Sequence, residues 1–240
     1  MEALIFDCDG VLVDTERDGH RRAFNQAFEE MGLDVHWDVE RYGQLLLVAG
    51  GKERMRHHFE TTGWPQQAGN DKDAFIAGLH QRKTAIFGEI IASGQLPLRS
   101  GVLRIVDAAL AEGIRLGVCT TSNPKSISGV LDLMGQDRKS RFEIVLAGDI
   151  VSRKKPDPEI YELALEKLRL PPGKCLVIED SRNGLLAALG AGLPCMVTTS
   201  TYTVDEDFSG AAGVVPELGD PPGDCVTLAD LQSLASESGA

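Results

Sequence analysis

Short apolar runs alternate along the chain with stretches that have helical periodicity. The runs predicted as strands lie at 3–8, 115–120, 143–148, 174–180 and 194–199. Between two of them, Val102, Ile105, Val106 and Ala109 recur at the spacing of one helix face. Apolar strands that alternate with helices are typical of a parallel sheet covered by helices on both faces. The pattern therefore predicts an α/β fold with a Rossmann-like parallel sheet.

One long connection interrupts this alternation. Between the first strand and a helix that opens near Ser100, the chain shows several helical patterns and no convincing strand. Phe24, Ala27, Phe28 and Met31, for example, follow i, i+3, i+4, i+7 spacing. All five histidines and both tryptophans fall in this segment, and all five cysteines fall outside it. We therefore predict an α/β core domain at 1–13 and 97–240, and an inserted α-helical cap domain at 14–96.

Charge and hydropathy restrict the partners. The formal net charge of −12 argues against binding to nucleic acid, whose protein partners are usually basic, and against an anionic membrane surface. The sequence contains no apolar run of about 18 residues, the minimum for a membrane span. The cysteines are odd in number and mostly lie in predicted strands, which indicates reduced core residues. We expect a monomer in the cytoplasm, or in the chloroplast stroma if the chain is a processed form.

Polar side chains follow four of the predicted strands. These are Asp7 and Asp9 after the first strand, Thr120 to Asn123 after the second, Lys154 and Lys155 after the third, and Glu179 and Asp180 after the fourth. Each group alone has a structural explanation, either as a helix cap or as solvated loop charges. However, the carboxyl ends of parallel strands meet at one edge of the sheet, where ligands bind. Together the four groups therefore predict a single site.

The chemistry of that site follows from its residue types. It contains the four acids Asp7, Asp9, Glu179 and Asp180. Side chains alternate along a strand, so the first two acids share a face. Four neighbouring carboxylates require a cation if all are to stay ionised, and hard oxygen ligands suit Mg²⁺. Lys155 and the Thr120 hydroxyl could then hold the oxygens of a phosphoryl group.

Four motifs in order carry a resemblance to a known family. They are DCDGVLVDTE (7–16), VCTTSN (118–123), KKPDP (154–158) and VIEDSRNG (177–184). In these motifs the chain resembles the haloacid dehalogenase (HAD) superfamily, in the branch of Mg²⁺-dependent phosphatases and phosphomutases with a helical cap. The resemblance covers nearly the whole chain and implies the HAD fold, with the first strand at the centre of the sheet.

The resemblance also implies a role for each motif residue. Asp7 is implied as the nucleophile that forms an aspartyl phosphate, and Asp9 as the general acid and base. Thr120 and Lys155 are implied to bind phosphoryl oxygens. The implied metal ligands are the Asp7 carboxylate, the Asp9 backbone carbonyl and Asp180, with Glu179 adjacent.

Substrate choice is expected to depend on the cap domain. In the stretch 48–59, Gly50 and Gly51 open a helix that carries Lys52, Arg54 and Arg56 in its first turns. Cations oppose the dipole at a helix N-terminus, so their placement suggests a docked anion such as a second phosphate; the alternative is a solvated basic face. The predicted substrate-binding residues are Glu16, His20, Tyr42, Gly51, Lys52, Arg56, Thr121 and Ser122.

Three further stretches narrow the resemblance. GHR (19–21), GGKERM (50–55) and GDPP (219–222) are similar to the CbbY proteins of photosynthetic organisms. That similarity implies hydrolysis of a small phosphorylated sugar, xylulose 1,5-bisphosphate, to xylulose 5-phosphate. Two alternatives stay open: a β-phosphoglucomutase-like phosphomutase, and a non-catalytic phospho-acceptor or scaffold with the same fold. A metal-independent dehalogenase is disfavoured by Asp9 together with Glu179 and Asp180.

Overall fold

The computed structural model describes residues 1–48, 50–94 and 96–237, which form two compact units. One unit comprises Met1–Asp14 and Pro97–Ala240, and the other comprises Thr15–Leu96. These units differ from the predicted core and cap ranges at one residue, Asp14, which lies in the first unit. There its buried carboxylate accepts a hydrogen bond from the Thr201 hydroxyl at 2.5 Å.

The second unit, the cap domain, has helical secondary structure over its described residues. A π-helical turn at Thr15–His20 leads into α1 (Arg21–Glu30), α2 (Val39–Leu46), α3 (Gly51–Thr62) and α4 (Lys72–Ala92). Helix α1 packs against α4 and buries Phe24 and Phe28. Both rings contact the fully buried Trp37: its ring centroid lies 4.9 Å from that of Phe24 and 4.8 Å from that of Phe28. Phe24, Ala27 and Phe28 of the predicted apolar stripe are thus buried, whereas Met31, the fourth, follows the end of α1 and is exposed.

The first unit, the core domain, contains a parallel sheet of six strands. They are β1 (Ala3–Phe6), β2 (Arg115–Cys119), β3 (Phe142–Leu146), β4 (Cys175–Glu179), β5 (Cys195–Thr198) and β6 (Gly213–Val215). Their order is β3-β2-β1-β4-β5-β6, and all neighbours are parallel. This confirms the predicted fold class. Strand β6 was not predicted, because three partly exposed residues leave no readable periodicity.

The helices of the core domain pack against the sheet or follow its strands. They are α5 (Val102–Ala111), α6 (Pro124–Asp132), α7 (Gln136–Lys139), α8 (Glu159–Leu168), α9 (Arg182–Gly190) and α10 (Leu228–Glu237). Asn123 caps α6 by accepting from the Ser126 amide, and Ser181 caps α9 by accepting from the Gly184 amide. Among the described helices, none combines the length and apolar composition needed to cross a membrane.

The register of the central strands determines where their ends lie. Phe6, the last residue of β1, is paired with Val118 in β2 and with Ile178 in β4. All three strands therefore finish at the same level of the sheet, and Asp7 follows directly on the middle one. The polar residues that follow each strand are brought together by this alignment.

Candidate active site

Lys155 links the ends of three strands. Its Nζ lies 2.6 Å from Asp7 Oδ1 and 2.6 Å from Glu179 Oε1, and it donates to the Cys119 carbonyl at 2.9 Å. All three charged side chains are at most 10% exposed. Burial works against the ammonium form, but Asp7 and Glu179 outweigh it and raise the pKa of Lys155. Lys155 is therefore a fixed, buried cation at the predicted nucleophile.

Three buried carboxylates gather around this cation. Asp7, Glu179 and Asp180 each offer an oxygen atom, and these atoms lie within 4.8 Å of one another. Burial raises the pKa of Asp7 well above its usual value, and the neighbouring carboxylates raise it further. The charge of Lys155 opposes this rise but does not cancel it. Burial and Glu179 raise the pKa of Asp180 to about 7. The single positive charge of Lys155 is thus too small to balance the three carboxylates. Carboxylate oxygens are hard donors, so the cluster fits a divalent cation such as Mg²⁺.

Gly10 explains part of the first motif. It has a left-handed backbone, with φ of +81°, and its amide donates to the Val13 carbonyl at 2.7 Å. A Cβ atom at this position would lie 1.9 Å from Asp180 Oδ2. The loop after β1 therefore runs directly against the Asp180 carboxylate. Gly184 plays the same part beside Glu179, since a Cβ there would lie 1.9 Å from Glu179 Oε2.

The loop after β2 supplies the partner of Asp9. The Ser122 hydroxyl donates a hydrogen bond to Asp9 Oδ2, and the Ser122 amide donates to Thr120 Oγ1 at 3.1 Å. Thr120 is buried, whereas Thr121 is exposed. The structure therefore brings Ser122 and Thr120 to the acidic site and leaves Thr121 at the surface. A binding role for Thr121 stays a prediction.

Tyr161 was not predicted as a site residue. It lies in the first turn of α8 and is fully buried, and its hydroxyl donates to Glu179 Oε1 at 2.5 Å. Lys155 Nζ lies 5.0 Å from the centre of its ring. Burial, reinforced by the charge of Glu179, raises the pKa of Tyr161 well above its usual value, so the hydroxyl remains a donor. Sequence spacing gave no signal for this contact, because Tyr161 also fits an ordinary buried helix position.

The loop after β5 also contributes residues that were not predicted. The Ser200 side chain acts to lower the pKa of Asp180, against the effect of burial, and its hydroxyl lies 3.0 Å from the Thr203 hydroxyl. Thr201 holds Asp14, as described above. This loop was predicted only as the end of a strand, and its serine and threonines are typical of many surface turns.

Within the cap domain, Glu16 and Tyr42 form a hydrogen-bonded chain with Arg54. The Tyr42 hydroxyl donates to Glu16 Oε2 at 2.5 Å and accepts from Arg54 Nη1 at 3.0 Å. Arg54 Nε also donates to the Leu45 carbonyl. Tyr42 and Arg54 are both buried. Of the three cations at the start of α3, Arg54 is the buried one. It was not among the predicted binding residues.

His20 is half-buried in the cap beside a lysine that was not predicted. Lys83 Nζ lies 2.8 Å from His20 Nδ1, and the His20 ring stacks on Phe87 at 3.9 Å. Burial and the charge of Lys83 lower the pKa of His20 well below its usual value, and burial lowers the pKa of Lys83 to about 8. Lys83 could have been found from the sequence, because it interrupts the apolar stripe of α4 formed by Leu79 and Ile86.

The remaining predicted cap residues lie at the start of α3. Gly51 is the first residue of the helix, and Lys52 is exposed. Arg56 forms an ion pair with Asp73 on the cap surface, which gives it a structural partner in its own unit. Ala49, within the predicted anion-binding stretch, lies outside the described residues. Binding of an anion at Lys52 stays a prediction.

Comparison with known proteins identifies the class to which this site belongs. A family model for haloacid dehalogenase-like hydrolases matches residues 1–192. The chain therefore belongs to the haloacid dehalogenase-like hydrolases, and it is a phosphatase of that superfamily. This confirms the resemblance read from the four motifs.

Within that family, several relatives that match almost the whole chain are CbbY proteins. A CBBY-like protein from Arabidopsis thaliana is 52% identical over 97% of this chain and 74% of its own length. The CbbY protein of Cupriavidus necator is 42% identical over 98% of this chain and 95% of its own length. A solved structure of a CbbY mutant from Rhodobacter sphaeroides, in complex with xylulose 1,5-bisphosphate, has a TM-score of 0.74 at 39% identity and covers 96% of this chain and 99% of that one.

Proposed function

We propose that the protein is a Mg²⁺-dependent phosphatase that hydrolyses xylulose 1,5-bisphosphate to xylulose 5-phosphate and phosphate. The observation that carries the proposal is the buried contact of Lys155 with Asp7 and Glu179 beside Asp180. This arrangement presents a carboxylate nucleophile and a fixed cation at the same point. The choice of substrate is supported by the bisphosphate bound to the Rhodobacter sphaeroides relative.

The first half-reaction transfers the phosphoryl group to the protein. A carboxylate oxygen of Asp7 attacks phosphorus in line, so that an Asp7–phosphorus bond forms while the bond from phosphorus to the sugar oxygen breaks. Asp9 donates a proton to the departing oxygen. Ser122, which donates to Asp9 Oδ2, orients that carboxyl group. Xylulose 5-phosphate leaves, and an aspartyl phosphate remains on Asp7.

The second half-reaction returns Asp7 to its starting state. Asp9, now ionised, takes a proton from a water molecule, whose oxygen attacks the phosphorus atom. The Asp7–phosphorus bond breaks, and inorganic phosphate is released. Lys155 stays charged throughout and stabilises the negative charge that develops on the transferring group.

Four acidic residues are proposed to surround the metal. Asp7 and Asp180 would hold it through their carboxylates and Asp9 through its backbone carbonyl, with Glu179 adjacent. Bound Mg²⁺ supplies the positive charge that lets an anionic ester approach an anionic nucleophile. Glu179 contributes mainly through Lys155 and Tyr161, because Oε1 already accepts from both.

The cap domain is proposed to recognise the part of the sugar that does not react. Two hydrogen-bonded pairs in the cap, Glu16 with Tyr42 and His20 with Lys83, each join a half-buried residue to a buried one and provide hydrogen-bonding partners for sugar hydroxyls. Lys52, exposed at the start of α3, is proposed to bind the second phosphate.

The decisive experiment is a phosphate-release screen over sugar monophosphates and bisphosphates, with Mg²⁺ present or chelated by EDTA. We expect the highest kcat/KM with xylulose 1,5-bisphosphate, and loss of activity after chelation. Asp7→Asn should abolish turnover, because an amide cannot form the acyl phosphate. Phosphate release that persists in EDTA or in the Asp7→Asn protein would contradict the proposed chemistry.

The same preparation separates the two alternatives. Formation of glucose 6-phosphate from glucose 1-phosphate and a catalytic amount of glucose 1,6-bisphosphate would indicate a phosphomutase instead. A protein that is phosphorylated on Asp7 but releases no phosphate from any ester would indicate a phospho-acceptor. Intact Asp9 and Lys155 favour turnover over that second outcome.

A further inference from the structure

Arg99 holds the backbone of three separate segments of the core domain. Its guanidinium group donates to the carbonyl oxygen of Gly10, in the loop after β1. It also donates to the carbonyls of Thr198, at 3.2 Å, and Thr199, at 2.7 Å, where β5 ends. A further bond at 2.6 Å reaches the carbonyl of Pro216, just after β6. One side chain therefore ties the loop after β1 to the far side of the sheet.

Two of these segments touch the same carboxylate. The backbone of Gly10 lies directly against Asp180, where even a Cβ atom would overlap Oδ2. Thr199 immediately precedes Ser200, whose side chain lies beside Asp180 and acts to lower the pKa of that carboxyl group. Arg99 thus fixes the positions of both neighbours that border the Asp180 carboxylate. Its own amide, which donates to the Leu12 carbonyl at 2.9 Å, adds a second attachment to the loop after β1.

We infer that Arg99 is a positioning residue that sets the place of Asp180 for metal binding, by clamping the Gly10 loop to the Thr199–Ser200 loop. The inference rests on the proposed function, since it concerns the Mg²⁺ site of that phosphatase. It assigns no contact between Arg99 and substrate or metal.

The clamp depends on the shape of arginine and not on its charge alone. A guanidinium group is planar and carries five donors in a fixed fork, so it can serve several carbonyls whose directions differ. A lysine has one ammonium group at the end of a flexible stem. Arg99→Lys therefore keeps the charge but loses the simultaneous hold on Gly10 and Thr199. Metal ligands must be held within a fraction of an ångström, so a looser loop is expected to weaken Mg²⁺ binding.

Arg104 offers a matched control in the same domain. Its guanidinium group also donates to backbone carbonyls, those of Val226 at 2.9 Å, Leu218 at 3.0 Å and Gly219, and it pairs with Asp220. These acceptors lie in the segment 218–226, which precedes α10. Arg104→Lys thus removes a clamp of the same kind from a different part of the core domain.

The test is calorimetric titration of Mg²⁺ into wild-type, Arg99→Lys and Arg104→Lys proteins without substrate, with thermal melting of each by circular dichroism. We expect both variants to melt at a lower temperature than wild type. Arg99→Lys should bind Mg²⁺ about tenfold more weakly, and Arg104→Lys should stay within about twofold of wild type. In phosphate release, Arg99→Lys should need about tenfold more Mg²⁺ for half-maximal rate, with the KM for the sugar at saturating Mg²⁺ unchanged within about twofold.

Wild-type affinity in Arg99→Lys would overturn the inference, and so would an equal loss in Arg104→Lys, since the effect would then be general destabilisation. If Arg99→Lys does not fold, Ser200→Ala provides the test. Ser200 follows the clamped Thr199, and the substitution removes the hydroxyl through which this segment reaches Asp180. We expect about threefold weaker Mg²⁺ binding in that variant, and an unchanged Kd would refute the inference. Failure of the wild-type protein to bind Mg²⁺ would instead remove the metal from the proposed function, and this inference with it.

Discussion

Removal of the Tyr161 hydroxyl should slow the chemical step without changing the shape of the core. Tyr161→Phe keeps the buried ring under Lys155 and deletes only the donor to Glu179 Oε1. Glu179 is 1% exposed, so water cannot replace the lost bond freely. A hydrogen bond to a charged acceptor in such a place contributes about 1.5–3 kcal/mol. We therefore expect Tyr161→Phe to lower the free energy of unfolding by about 2 kcal/mol.

The kinetic effect follows from the position of Lys155 between two carboxylates. Its Nζ is 2.6 Å from both Asp7 and Glu179, so neither partner dominates. Without the tyrosine hydroxyl, Glu179 should attract the Lys155 ammonium more strongly. The interaction between Lys155 and Asp7 should then become weaker. If about 1.4 kcal/mol of the lost bond appears in the transition state, kcat falls about tenfold, while KM stays within about threefold.

Steady-state phosphate release and thermal melting of the same preparation would measure both effects. Tyr42→Phe is a matched comparison, because Tyr42 also donates to a carboxylate at 2.5 Å but lies in the cap domain. Its loss should act mainly on KM, through Glu16. A Tyr161→Phe protein with a lowered melting temperature and wild-type kcat would show that the hydroxyl only stabilises the fold, and would refute the reasoning.

Three further outcomes are expected. Lys52→Met should raise KM for a sugar bisphosphate at least fivefold more than KM for a monophosphate, as measured by phosphate release; equal changes would remove Lys52 from phosphate binding. His58 accepts a hydrogen bond from Trp37 Nε1, and burial lowers its pKa from 6.5 to about 4. As the pH falls, His58 is therefore protonated in the unfolded chain before it is protonated in the folded protein. Its contribution to stability is complete above pH 6.5 and is lost as the pH falls towards 4, by about 2 kcal/mol, and melting curves should show a smaller pH dependence in His58→Gln than in wild type over this range. Thr198 has a buried hydroxyl for which the described residues provide no hydrogen-bond partner, so Thr198→Val should raise the melting temperature by a few degrees, whereas a lower value would reveal a partner.

The sheet could be predicted because its strands are apolar runs bounded by polar residues. All five predicted strands are present within two residues of their expected ends. Residues that follow such strands also collect at one edge by geometry alone, which is why Asp7, Lys155 and Asp180 could be assigned to one site. The fold places them together whatever the intervening sequence.

The supporting residues could not be found in this way. Arg99 binds backbone carbonyls, and a carbonyl acceptor leaves no trace in the sequence of the segment that provides it. Tyr161 occupies a helix position where any large apolar side chain would fit the pattern. Lys83 differs, because a charge within the apolar stripe of α4 is a visible anomaly, and its burial beside His20 explains it.

The central place of β1 in the sheet has a consequence for folding on the ribosome. Both strands that pair with β1 are encoded more than a hundred residues later, at β2 and β4. The cap domain, a contiguous stretch, leaves the ribosome before β2 and β4 and can bury its aromatic residues while Ala3–Phe6 still lacks neighbours. The nascent chain therefore carries the unpaired apolar strand β1 throughout synthesis of the cap, and the proposed catalytic centre stays incomplete until Asp180 has been added.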